Sequence, residues 1–172
     1  MVVLGIDPGY AIVGYGAVEF AGSNCRSLGY GVITTNAETD FNLRLKTIYD
    51  NCSLLIAKCK PDCMAIEKLY FQSNQKTAIM VAEARGVIIL AAQNAGVDIF
   101  EYTPLQVKTV VTGYGKAKKA QVMEMTRRLL KLTEVPKPDD AADALAIALC
   151  HTQAAGTALR RTLVERNKTK YQ

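Results

Sequence analysis

The sequence contains few of the residues from which several common catalytic sites are built. Its single histidine, His151, excludes acid and base schemes that need a pair of histidines. The five cysteines are irregularly spaced, and neither a second pair nor a histidine follows Cys59 and Cys63 at the spacing of zinc ligands. We therefore expect five free structural thiols, and we expect His151, near the end of the last predicted helix, to be a surface or capping residue.

Long apolar segments are also missing. Charged residues make up 22% of the chain, and no apolar run approaches the roughly 20 residues that a membrane-spanning helix requires. The opening residues MVVLGID lack the basic segment and cleavage site of a signal peptide. These absences predict a soluble, cytoplasmic protein with no membrane partner.

The net charge is concentrated near the C-terminus. Residues 1–153 carry 16 lysines and arginines against 15 acidic residues, whereas residues 154–172 carry five against one. With 172 residues and 49% hydrophobic composition, the chain is long enough for one real core. We predict one domain over 1–153 and a basic tail over 154–172, with any nucleic-acid contact coming from local lysine clusters and the tail.

Apolar runs, turn residues and helical periodicity divide the chain into ten elements. A three-stranded meander followed by alternating helices and strands predicts the α/β class, with a mixed five-stranded sheet flanked by helices. The expected strands are Val2–Asp7, 14–19, 28–34, Cys63–Glu67 and 97–102. The expected helices are 40–60, 74–94, a short one after Pro104, 118–132 and one after Pro138.

The predicted helix 74–94 has apolar residues on more than one side. One face of a helix cannot bury all of them. Two arrangements explain the pattern. Either the helix is deeply buried within one domain, or one face packs on the sheet and the other contacts a second subunit.

Four carboxylates stand at the ends of predicted elements. Asp7 and Glu67 end strands, and Asp140 and Asp143 lie three residues apart at the start of the last helix, on one face. Oxygen ligands without histidine or thiolate suit Mg²⁺ or Mn²⁺. Two such ions can activate water and stabilise the leaving oxygen in a phosphodiester displacement.

Each carboxylate also has an ordinary explanation. Asp7 in Asp-Pro-Gly can be a turn former, Asp139 or Asp140 can cap the last helix, and Asp143 can complement its dipole. Asp143 is harder to dismiss because its neighbours are alanine and leucine, which favour burial. We assign Asp139 to capping alone.

Four segments together resemble the RuvC family of Holliday-junction resolvases, in the family's order and spacing over residues 1–153. They are Gly5-Ile6-Asp7-Pro8-Gly9 with Gly14, Ala65-Ile66-Glu67, Pro104-Leu105-Gln106-Val107-Lys108 and Asp140-Ala141-Ala142-Asp143-Ala144-Leu145-Ala146. The resemblance implies a ribonuclease-H-like fold and a homodimer that makes paired, metal-dependent nicks in a four-way DNA junction. It also implies branch-migration partners, RuvA and RuvB, and it places the family's catalytic, metal-binding acids on Asp7, Glu67, Asp140 and Asp143.

Aromatic and basic residues near these segments are candidates for DNA contact. The family's junction-facing aromatic falls on Tyr70, although Phe71 is also a candidate, and a ring in this polar loop can either stack on an unpaired base or pack on the core. Lysines offer phosphate contacts or simply form a solvated face. The resemblance implies Lys108 and Lys119 as candidates. Lys116, Lys118 and Lys119 are candidates because they cluster after a glycine loop.

Two other functions share part of this pattern. Asp7-Pro8-Gly9 followed by Gly14 can be the phosphate loop of an actin-like ATP-binding protein, although the chain has no second lobe or second glycine-rich loop. A catalytically idle DNA-architecture protein of the same fold is the other alternative. The presence of all four carboxylates argues against it.

Overall fold

A computed structural model describes residues 1–22, 24–69 and 75–169, with side chains described up to residue 156 except at 75 and 76. Within these ranges the strands are β1 (Val2–Asp7), β2 (Ile12–Ala21), β3 (Asn24–Thr34), β4 (Cys63–Glu67) and β5 (Asp98–Tyr102). The helices are α1 (Phe41–Cys59), α2 (Gln75–Asn94), α3 (Pro104–Thr112), α4 (Lys119–Leu129) and α5 (Asp139–Thr169).

The strands form one sheet in the order β3-β2-β1-β4-β5. Antiparallel pairing joins β1 to β2 and β2 to β3, whereas β4 is parallel to both β1 and β5. The predicted α/β class and the mixed five-stranded sheet are therefore confirmed.

The β2–β3 hairpin is longer than the sequence pattern predicted. Gly22, with φ of +63°, lies where the chain turns between the two strands. The added residues include Arg26, which is the register partner of Glu19 and forms an ion pair of 2.8 Å with it. Polar cross-strand pairs stabilise a strand even where apolar and polar residues do not alternate. The strands therefore extend beyond the residues that the alternation marks in the sequence.

Helices cover both faces of the sheet. Residues of α1 and α2 pack on the face formed by Leu4, Ile6 and their neighbours. Residues of α3, α4 and α5 pack on the opposite face with Val3 and Ala65. Because side chains alternate along a strand, Asp7 and Glu67 belong to the α5 face.

Glycines allow α5 to lie directly on the sheet. A Cβ added at Gly5 would stand 2.0 Å from the carbonyl oxygen of Ala144, and one at Gly14 would stand 2.0 Å from that of Asp140. Side chains at these positions would separate the helix from the strands. Gly14 is also the register partner of Asp7, so the first turn of α5 lies beside the end of β1.

The prediction for His151 was wrong, because α5 continues beyond it to Thr169 and residue 151 faces the sheet. His151 is only 5% exposed. Its Nδ1 lies 2.8 Å from the Tyr102 hydroxyl and its Nε2 lies 3.2 Å from Cys63 Sγ. Burial lowers the pKa of His151, so the ring is a neutral hydrogen-bonding group in the core.

The five cysteines are free, as predicted, and Cys52, Cys63 and Cys150 are buried. The predicted boundary at residue 153 falls inside α5, whose helical backbone continues without interruption. Among the described residues, no helix is long and apolar enough to cross a membrane.

Candidate catalytic carboxylate site

The core of the site is the pair formed by Asp7 and Glu67. Each is the last residue of its strand, and the strands are parallel neighbours with Ile6 opposite Ile66. The two carboxylates therefore leave the sheet at the same edge and on the same face. Functional sites in open α/β sheets gather at this end of the strands.

The α5 helix brings Asp140 and Asp143 to the same edge. The two residues are three apart, so their side chains are neighbours on one face of the helix. The backbone of Asp140 packs against Gly14, beside Asp7. The structure thus brings together all four acids that the sequence predicted.

Burial and the neighbouring negative charges together raise the pKa values of Asp7 and Glu67. Burial, followed by the charges of Glu67, Asp143 and Asp140, raises the pKa of Asp7 from 3.8 to about 7. Burial and the charge of Asp143 raise the pKa of Glu67. Clustered carboxylates with raised pKa values are typical of catalytic and metal sites, and simple turn formation does not account for them.

Two of the predicted lysines lie at the cluster. Lys119 Nζ is 2.9 Å from Asp143 and 3.3 Å from Asp139, and the charges of Lys108 and Lys119 oppose the rise in the pKa of Glu67. Lys108, Lys119, Glu67 and Asp143 line a cleft of about 200 Å³. The other two lysines, Lys116 and Lys118, are exposed ahead of and at the start of α4.

Two further predictions have different outcomes. Asp139 is the first residue of α5 and is 58% exposed in its ion pair with Lys119. This position agrees with a role at the helix terminus. Tyr70 and Phe71 lie outside the described residues, so their placement stays a prediction.

The donor set fits a hard divalent cation in its chemistry. All four acids supply carboxylate oxygens, and a cation among them would offset the burial and the neighbouring negative charges that raise the pKa of Asp7. As the side chains stand, no three acidic, histidine or cysteine residues of the described ranges are close enough to hold one ion. Asp143 is ion-paired with Lys119, so this carboxylate would have to leave the lysine in order to bind a metal ion.

Arg85 is a supporting residue that the sequence reasoning missed. It extends from α2, where its Nε donates a 3.3 Å hydrogen bond to the carbonyl of Glu67 and its guanidinium forms an ion pair with Glu101 on β5. The ends of β4 and β5 are therefore tied to α2. The only signal in the sequence is a lone arginine between apolar and small residues.

The raised pKa of Asp7 predicts how stability depends on pH without metal. The folded state binds the Asp7 proton more tightly than the unfolded state, so stability falls as pH rises from about 4 to the folded pKa of about 7. In EDTA above pH 7, the free energy of unfolding of Asp7→Asn is expected to exceed that of wild type by on the order of 2 to 4 kcal/mol. Near pH 4 the two free energies should be equal. Urea titrations at several pH values test this expectation. A difference that does not change with pH would contradict it.

Comparisons with known proteins agree with this geometry. The model of the family "Crossover junction endodeoxyribonuclease RuvC" matches residues 3–151. The RuvC of Brevibacillus brevis is 56% identical over 153 residues, 89% of this chain and 92% of that protein. The RuvC of Desulforamulus reducens is 50% identical over 157 residues, 91% and 96% of the two chains.

A solved structure extends the likeness to three dimensions. The structure of T. thermophilus RuvC in complex with Holliday junction substrate superposes with a TM-score of 0.88 at 36% identity, covering 92% of this chain and 96% of that one. The fold is thus the ribonuclease-H-like fold that the sequence predicted. With the family model matching most of its length, this chain belongs to the RuvC family of crossover junction endodeoxyribonucleases.

Proposed function

We propose that this protein resolves Holliday junctions in DNA recombination and repair by paired nicking of phosphodiester bonds, with Mg²⁺ as cofactor and Mn²⁺ as a substitute. The observation that carries the proposal is the convergence of Asp7, Glu67, Asp140 and Asp143 at one edge of the sheet, with the pKa of Asp7 raised to about 7. Family membership and the junction complex of the T. thermophilus relative support the choice of substrate.

The four carboxylates are the proposed metal-holding and catalytic residues. When bound, the divalent ions would supply an activated water and charge stabilisation for the leaving oxygen. Asp7 and Glu67 are fixed by their strand ends, whereas Asp140 and Asp143 are fixed by the packing of α5 on Gly5 and Gly14. The site is therefore held from two sides by two rigid elements, the sheet and α5.

Basic residues around the cleft are the proposed phosphate contacts. Lys108 and Lys119 line the cleft with Glu67 and Asp143, where a cation can bind a phosphate next to the reacting group. Lys116 and Lys118 are exposed nearby and suit phosphates farther along the strand. Tyr70 or Phe71 is proposed to stack on a base at the crossover, which remains a prediction from the sequence.

The exposed face of α2 is the proposed subunit interface. Ala84, Ile88 and Ala91 are buried on one side of the helix, whereas Ile79 is 61% and Leu90 is 51% exposed on another. An apolar stripe on the surface of a helix marks a site of association. A second copy of the chain is the proposed occupant, since two nicks in one junction need two active sites related by symmetry.

A charge on this face should separate the subunits. Ala82 is exposed on α2 between Ile79 and Leu90, so Ala82→Glu is expected to convert the dimer to monomers because the carboxylate would be buried without a partner. Sedimentation velocity measures the change. Ala120→Glu, at an exposed position of α4 on the other side of the sheet, is the matched control and should stay dimeric. An Ala82→Glu dimer of unchanged affinity would place the interface elsewhere.

The remaining parts of the proposal come from the family and the charge distribution. We infer a nuclease domain over 1–153, a basic tail over 154–172 that adds nonspecific affinity for DNA, a cytoplasmic location and branch-migration partners of the RuvA and RuvB type. These assignments are independent of the carboxylate geometry.

One assay separates the proposed function from its alternatives. The protein is incubated with Mg²⁺ and a synthetic four-way junction, a linear duplex of the same sequence, or ATP. A resolvase nicks the junction symmetrically and leaves the duplex intact. Equal cleavage of junction and duplex would indicate a general nuclease, and release of phosphate from ATP without nicking would indicate an actin-like ATPase.

A further inference from the structure

Arg44 on α1 is a buried cation that the carboxylate site does not explain. It is only 6% exposed, and none of the ion pairs in the described part of the chain includes it. Burying a charge without a charged partner is costly. The contacts that Arg44 does make should therefore indicate why it is there.

Those contacts converge on the loop 8–11 between β1 and β2. Arg44 Nη2 donates a 3.2 Å hydrogen bond to the carbonyl of Tyr10, and Nε donates a 2.9 Å bond to Thr35 Oγ1. The Thr35 hydroxyl in turn donates a 2.7 Å bond to the same Tyr10 carbonyl. The guanidinium carbon also lies 5.0 Å from the centre of the Tyr10 ring, within the range of a cation–π interaction.

The loop is held at consecutive residues. The backbone N–H of Thr35 donates a 3.0 Å bond to the carbonyl of Ala11, and the Tyr10 ring packs edge-on against Phe41 with centroids 6.3 Å apart. The loop is also tight, because a Cβ at Gly9 would stand 2.2 Å from the carbonyl oxygen of Ile12. Its first residue follows Asp7 directly, so its conformation sets where β1 ends.

We propose that Arg44, acting with Thr35, is a positioning residue that fixes the loop 8–11 and thereby the carboxylate of Asp7. The contacts of Arg44 go to Thr35 and Tyr10 rather than to the four acids, so it acts through the backbone of the loop. The inference rests on the proposed nuclease function for its activity readout.

The shape of the guanidinium explains why arginine is needed. Its planar fork donates to two acceptors at fixed angles while the cation lies over the Tyr10 ring. A lysine ammonium keeps the charge but cannot make both bonds and the stack in one geometry. Arg44→Lys therefore keeps the positive charge but removes the hydrogen-bond geometry of the guanidinium, so it tests which of the two matters.

The test compares Arg44→Lys and Thr35→Val with wild type and with Lys46→Met. Lys46 is an exposed cation on the same helix, ion-paired only with Asp50 among the described residues, so its loss controls for a charge removed from α1. Thr35→Val removes the bridging hydroxyl at nearly constant volume and carries the test if Arg44→Lys does not fold. Three quantities are measured: single-turnover junction cleavage at saturating protein and Mg²⁺, junction affinity in Ca²⁺, and the rise in melting temperature on adding Mn²⁺.

A positioning role predicts that cleavage slows at least about tenfold in both variants, since displacement of a reacting group by about 1 Å costs up to ~100-fold. Junction affinity should stay within about twofold of wild type, and the Mn²⁺-induced rise in melting temperature should shrink. Lys46→Met should match wild type in all three measurements. Cleavage that falls only with the fraction of unfolded protein, or that returns to the wild-type rate on cooling, would overturn the proposal.

The outcomes also separate this inference from the proposed function. If wild type does not cleave junctions, the proposed function fails. The Mn²⁺ response of the variants then still decides the role of Arg44, because an unchanged response would refute positioning of the metal ligand Asp7. If wild type cleaves and both variants cleave equally well, only the positioning role fails.

Discussion

Replacing Asp7 by asparagine is expected to reduce junction cleavage at least about 100-fold, because loss of one metal-holding carboxylate removes several kcal/mol of transition-state stabilisation. Glu67→Gln should have an effect of the same order. Junction binding should stay within about twofold of wild type, since the proposed phosphate contacts come from lysines rather than from these acids. Single-turnover cleavage and gel-shift titration of the same four-way junction measure the two effects.

Asp139→Asn is the matched control. Asp139 is exposed at the start of α5 and shares Lys119 with Asp143, yet the sequence assigns it to capping. Its substitution removes one exposed negative charge at the N-terminus of α5, so it should lower stability by about 0.3 to 1 kcal/mol and leave cleavage intact below the melting temperature. Near-normal nicking by Asp7→Asn, or a loss of nicking by Asp139→Asn equal to that of Asp7→Asn, would refute the assignment of the catalytic acids.

The carboxyl ends of β1 and β4 were predictable from the sequence because a change in residue type marks them. The buried runs Val2–Asp7 and Cys63–Glu67 each end in a carboxylate, and neither residue suits the interior of a sheet. In the structure the chain crosses from β3 through α1 to β4, which pairs parallel with β1, so both carboxyl ends lie at one edge. The core of the site could therefore be located from local pattern and general rules of connection.

The end of the last helix was not predictable in the same way. The apolar segment 144–150 ends at His151, and a polar residue after such a run usually marks the surface. In the structure the histidine is enclosed by Tyr102, Cys63 and Phe100. These partners lie on two strands far away in sequence, so only tertiary packing reveals that the position is buried.

The supporting arginines were missed for a related reason. Arg44 and Arg85 stand in helices that pack on the sheet, where an arginine is normally on the solvated side. Each instead hydrogen-bonds a backbone carbonyl at the active-site edge, at Tyr10 and Glu67 respectively. Every residue has a backbone carbonyl, so the residue types in the sequence do not indicate which carbonyl accepts such a bond.

The approach of α5 to the sheet gives the second large expected effect. Adding a methyl group in Gly14→Ala would place Cβ 2.0 Å from the carbonyl oxygen and 2.5 Å from the carbonyl carbon of Asp140. Both atoms belong to the backbone, so relief requires the first turn of α5 to move away from β2. Overpacking of this kind costs about 1 to 3 kcal/mol, occasionally more. We expect a lower free energy of unfolding together with slower cleavage, because Asp140 and Asp143 move with the helix.

Gly31→Ala is the control that separates this displacement from the general effect of a methyl group in a strand. A Cβ at Gly31 would stand 2.7 Å from the hydroxyl oxygen of Tyr15, which is the far end of a side chain and can rotate aside. Its cost should be smaller, and cleavage should be unchanged. Urea unfolding and single-turnover cleavage, both at a temperature where each variant is fully folded, give the comparison. If Gly14→Ala unfolds within about 0.5 kcal/mol of wild type and cleaves at the wild-type rate, close contact between α5 and β2 does not position the two aspartates.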